Sequence, residues 1–73
     1  MENRRAEAHE RLQAAVALDP RNAAAHFSLA NLHAKQENWD EAIRQYRLTL
    51  DLQPSYPDAE RRLQLATQRK GEG

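Results

Sequence analysis

Residues 20–54 read PRNAAAHFSLANLHAKQENWDEAIRQYRLTLDLQP. The stretch begins and ends on a proline, and each proline closes a Leu-x-Pro triplet, Leu18-Asp19-Pro20 and Leu52-Gln53-Pro54. The prolines stand 34 residues apart, the length of one unit in an array of helical hairpins. Sliding the chain against itself by that step also pairs Glu7 with Glu41, Ala8 with Ala42, Ala25 with Ala59 and Leu29 with Leu63. The period therefore runs through most of the 73 residues, and it sets the architecture.

Outward from that stretch, composition agrees. The chain is rich in Ala, Leu, Arg, Glu and Gln, has two glycines and few β-branched residues, and predicts an all-α protein with no sheet. One small domain over 1–73 is expected, and a chain of this size buries only about 60% of its unfolded surface, so stability is marginal. Eleven Lys and Arg balance eleven Asp and Glu. This neutrality argues against general affinity for nucleic acid or an anionic membrane. Without cysteine there is no disulfide, thiolate nucleophile or cysteine-ligated zinc. Neither a signal-peptide core nor a run long enough to span a membrane is present, which leaves a soluble protein with no membrane insertion, cytoplasmic by default.

Four helices are expected, at about 4–18, 23–36, 39–52 and 58–70. In the first, Ala8, Leu12 and Ala15 recur at helical spacing, with Val16 and Leu18 widening the face, and Pro20 ends it. Asn22 is the expected N-cap of the second, in which Ala25, Leu29, Leu32 and His33 share a side. Glu37 and Asn38 form a turn, with Asn38 placed to cap the third helix and Asp40 and Glu41 at its positive end. Trp39, Ala42, Ile43, Tyr46 and Leu50 give that helix the widest apolar stripe in the chain. Pro57 suits the first turn of the fourth helix, whose face of Ala59, Leu63 and Ala66 is thin, as a solvating end helix requires. The tail 71–73 is expected to be disordered.

These residues resemble the tetratricopeptide repeat (TPR): its Trp, Leu-Gly, Tyr, Ala, Phe and Pro positions are matched by His26, Leu29-Ala30, His33, Ala42, Tyr46 and Pro54. Both large aromatics of the first helix are histidines here, and Thr49 stands where the family usually has alanine. One full repeat covers about Ala23 to Tyr56, preceded by what looks like a second helix and followed by what looks like a first helix. The resemblance implies antiparallel hairpins stacked as a short right-handed α-solenoid. It also implies a non-enzymatic scaffold or interaction module whose concave face takes a protein or peptide partner.

That face is lined by the first helix of each hairpin, which implies an inward set of Phe27, Asn31, Lys35, Arg61, Leu65, Gln68 and Arg69. Phe offers an apolar anchor, Asn can bracket a peptide backbone, and Arg or Lys can hold a carboxylate. Some relatives clamp a C-terminal carboxylate between successive first helices. Asn31 and Arg62 fit that role, but Phe27 and Asp58 stand where cations are wanted, so that activity is not expected.

An alternative is self-association into a homo-oligomer, or origin in a longer array, because Ala8, Leu12, Ala15 and Val16 form a face lacking the partner its repeat would supply. RNA binding through Arg61, Arg62, Arg69 and Lys70 is a remote third reading. No metal site is expected: His26 and His33 are seven residues apart, about 10 Å along a helix, and His9 reads as a solvated residue. No catalytic or cofactor-binding group is expected either, since Ser28 and Ser55 have no adjacent histidine and no glycine loop is present to cradle phosphate.

Overall fold

The computed structural model describes the backbone of residues 4–72 and the side-chain surroundings of residues 7–72. Its elements are α1 (Arg4–Leu18), α2 (Ala23–Lys35), α3 (Trp39–Leu52) and α4 (Ala59–Glu72), with no strand among the described residues. The pairing α2 with α3 is the most extensive, followed by α3 with α4 and then α1 with α2. The Cα envelope measures 32 × 29 × 16 Å, a flat stack of helical hairpins of the kind the 34-residue period requires.

Small residues decide how closely α2 and α3 approach. Ala30 and Ala42 are both fully buried, and the Tyr46 ring fills the space that their short side chains leave. Ile43 and Ala66 complete this cluster, and Phe27, Ala34, Trp39 and Leu63 pack around it. Thr49 is also fully buried, and its hydroxyl donates to the Gln45 carbonyl at 2.9 Å, which satisfies the one polar group that alanine would lack.

His26 replaces a large aromatic of the repeat and is buried without losing its polar partners. Its Nε2 lies 2.9 Å from the Pro20 carbonyl and its Nδ1 2.7 Å from the Gln45 side-chain amide. A carbonyl only accepts, so in the neutral ring Nε2 donates to Pro20, and Nδ1 accepts from the Gln45 carboxamide with its NH2 turned toward the ring. The histidine thus ties the start of the repeat to α3, a bond no Trp could make at both ends.

The turns follow side-chain chemistry. Asn22 caps α2, its Oδ1 accepting from the Ala25 N–H at 3.1 Å. The end of α2 is closed by the Asn38 N–H donating to the His33 carbonyl at 2.8 Å and the Glu37 N–H donating to the Ala34 carbonyl at 3.0 Å. This is a Schellman closure with Glu37 at φ 59 in place of the usual glycine. Asn38 makes no side-chain cap to α3; its Nδ2 instead lies 3.5 Å from His33 Nδ1. Asn22→Ala is therefore expected to cost about 1 kcal/mol and lower the melting midpoint by roughly 4–8 °C, whereas Asn38→Ala stays within about 0.5 kcal/mol. Parallel thermal melts check the difference.

Both ends of α4 differ from the sequence-based expectation. By the 34-residue step Pro57 and Asp58 match Ala23 and Ala24 inside α2, yet they form a turn, with Asp58 at φ 65, and α4 starts at Ala59. The residue matching Asn22 is Tyr56, whose ring cannot accept the free amides of a first turn and instead stacks on Phe27. At the other end α4 continues through Gly71 and Glu72, which the expectation of a disordered tail had excluded. No proline stops it, and Arg69 reaches Glu72 at 3.9 Å across one turn. Gly73 lies outside the described residues.

Candidate functional site: the cleft between α2, α3 and α4

Two turns into α2, Phe27 and Asn31 share a helical side and meet α3 and α4. The Phe27 ring lies 5.7 Å from Tyr46 and 4.9 Å from Tyr56, and the Arg62 guanidinium carbon stands 5.7 Å from its centroid. Asn31 Oδ1 accepts from the Tyr46 hydroxyl at 2.5 Å and from Arg62 Nη1 at 3.4 Å. Burial pushes the Tyr46 phenol up, with Arg62 opposing through its hydrogen bond and charge, so the hydroxyl stays a donor. Three helices are fastened at this one carboxamide, and both contacts use its oxygen, which leaves its NH2 end to donate elsewhere.

Beside this knot lies a cleft of about 210 Å³ lined by Ala34, Trp39, Tyr46, Arg62, Leu65, Ala66 and Arg69. Leu65 is 50% exposed, an apolar side chain left open to solvent at the mouth. Trp39, Tyr46 and Ala66 make the floor apolar, while Arg62 and Arg69 place two guanidinium groups on one rim. An apolar floor with convergent cations suits a peptide carrying a bulky side chain next to a carboxylate.

The expected inward set is only partly gathered here. Leu65 and Arg69 line the cleft, and Phe27 and Asn31 support its wall through Tyr46 and Arg62. Phe27 is half-buried by Tyr56 and Arg62 rather than free as an anchor. Arg61 faces a separate depression with Asp58, Arg62 and Leu65, and Lys35 and Gln68 are exposed without joining the cleft lining. Ala34, Trp39, Tyr46, Arg62 and Ala66 are the lining residues the inward set omits. The spacing Arg62, Leu65, Arg69 was the available signal, a stripe one position round from the one starting at Arg61.

A second depression, about 410 Å³, lies between α3 and α4 and is lined by Asp40, Ile43, Arg44, Arg47, Leu48, Asp51, Thr67 and Lys70. Charges of both signs alternate around it, and Lys70 Nζ meets Asp40 Oδ1 at 2.6 Å. Of the cations that suggested RNA, Arg62, Arg69 and Lys70 are thus engaged with Asn31, Glu72 and Asp40. On α1, Ala8, Leu12, Ala15 and Val16 are half-buried, and so is His9, which was expected to be solvated: its ring meets His33 edge-on at 4.9 Å.

Among the described residues no group of three or more His, Cys, Asp or Glu is placed to hold a metal, and no helix is long and apolar enough to cross a membrane. The family model described as tetratricopeptide repeat matches residues 2–60, whereas no curated protein matches the chain.

Proposed function

Because the chain belongs to the tetratricopeptide repeat family, whose members are generally protein-interaction modules without catalytic activity, we propose that it holds a peptide segment of a partner protein in the cleft between α2, α3 and α4. The observation that carries this reading is the pairing of the apolar floor, Trp39, Tyr46 and Ala66, with the Arg62 and Arg69 guanidinium groups on one rim. A bulky apolar side chain enters the floor, a neighbouring carboxylate meets Arg62, and the Asn31 NH2 donates to a peptide carbonyl. Side chains already fixed by the Tyr46–Asn31–Arg62 contacts cost little further ordering when a ligand arrives.

Trp39 is the one tryptophan of the chain and lines the cleft, so its emission reports occupancy. Titration with acidic peptides that carry one aromatic or aliphatic residue is expected to shift that emission saturably, with weaker binding at high salt. Arg62→Gln is expected to weaken binding about tenfold. Emission that ignores every such peptide, or equal affinity in Arg62→Gln, overturns the reading.

Self-association is the second reading. It is favoured by one observation: no described residue of α1 is fully buried, and Leu18 at its end is 89% exposed. Sedimentation over a range of concentrations separates the two, since a mass fixed at one chain excludes it.

A further inference from the structure

Helix α1 is the most shallowly held of the four. Among the described residues it packs on α2 and contributes nothing to the fully buried core. In that interface His9 of α1 meets His33 of α2, ring centroids 4.9 Å apart and planes at 85°. We propose that this pair is an acid-sensitive latch, which holds α1 on α2 while the rings are neutral and releases it when both are protonated.

Neutral imidazoles packed edge to face attract one another as aromatic rings do. Two imidazolium ions at the same separation repel, and the half-buried position of both rings weakens the screening that water would supply. The surroundings of His33 reinforce this. Asn38 Nδ2 lies 3.5 Å from its Nδ1, where an amide N–H can donate only to an unprotonated nitrogen. Burial, as the largest cause, and then the charge of His9 lower the His33 pKa, while Glu41 of α3 raises it in part. Groups facing His33 are therefore His9 from α1, Glu41 from α3 and the Asn38 amide from the intervening turn.

A lowered pKa in the docked state fixes the sign. Docking is at full strength above the ordinary histidine value of about 6.5 and is lost progressively as pH falls through it toward the lower docked value. The His9–His33 contact lies between α1 and α2, so its loss acts on α1 and leaves the α2–α3 hairpin in place.

The chain has no cysteine, so a pair introduced at exposed Gln13 of α1 and exposed Glu60 of α4 carries spin labels at defined places. Between about pH 7.5 and about pH 5 the ratio of docked to undocked α1, read from the label-to-label distance, is expected to fall about tenfold. His33→Gln is expected to abolish the fall and His9→Gln to reduce it, whereas Glu41→Gln moves it to lower pH because a charge that favours the protonated His33 ring is gone. A distance distribution unchanged by acid overturns the proposal, and so does a fall of the same size in whichever histidine variant folds.

Discussion

Tyr46→Ala is expected to lower the melting midpoint by about 15 °C or more, or to abolish the cooperative transition altogether. Tyr46 is 1% exposed, and its ring fills the space between Ala30, Ala42, Ile43 and Ala66 while Phe27 packs against its edge at 5.7 Å. Removing a buried aromatic of this size costs about 3–5 kcal/mol, because alanine leaves a cavity that close-packed helices cannot collapse to fill. A domain of 73 residues has a total stability of roughly 4–11 kcal/mol, so one substitution takes a large share of it. Tyr46→Phe separates ring from hydroxyl. It retains the packing, loses the bond to Asn31 Oδ1, and is expected to cost about 1 kcal/mol. Circular dichroism during heating measures both, and a Tyr46→Ala melt within a few degrees of the parent would show that the ring is not what fills the core.

The second large effect runs in the opposite steric direction. Ala42→Leu is expected to destabilise by about 1–3 kcal/mol, and the same change at Ala30 by a similar amount. Neither alanine has any exposed surface, and they stand on the two helices whose pairing is the most extensive in the molecule. The added carbons have nowhere to go unless α2 and α3 separate, and separation loosens the seating of Tyr46. Ala24→Leu, on the exposed side of α2, is expected to lie within about 0.5 kcal/mol of the parent. Urea unfolding distinguishes the sites through their midpoints at similar slope, and equal midpoints for Ala42→Leu and Ala24→Leu would contradict the account of close approach.

How much of this was legible in advance depended on which interactions repeat. The step of 34 residues exposed the hairpin because Ala8 recurs as Ala42, Leu29 as Leu63 and Pro20 as Pro54, positions that act through size and backbone geometry. Features belonging to a single position did not show. The start of α4 depends on Tyr56 standing where Asn22 stands one period earlier, and losing a cap oxygen removes the first turn that the pattern alone implies. His9 reads as a surface residue along its own helix, and only the packing of α1 on α2 brings it to His33.

The candidate site was legible to the same degree. Leu65 and Arg69 entered the inward set through the resemblance to the repeat rather than through hydrophobic spacing, and both line the cleft. Its electrostatics turn on which of two adjacent arginines faces inward, a difference of about 100° around the helix that a thin apolar face on α4 does not resolve. Arg62 takes that place because Asn31 and the Phe27 ring hold its guanidinium, contacts made across 31 and 35 residues of chain.

The central claim is that a partner peptide occupies the cleft beside Arg62. The most direct measurement maps backbone amide shifts while an acidic peptide bearing one bulky apolar residue is added. The account predicts that the largest changes fall at Asn31 and Ala34 of α2, Trp39 of α3, and Arg62, Leu65 and Arg69 of α4, and that Arg62→Gln suppresses them together. Changes confined to α1 or to Arg44 and Arg47 on the far side of α3, or a map unaltered in Arg62→Gln, would contradict it.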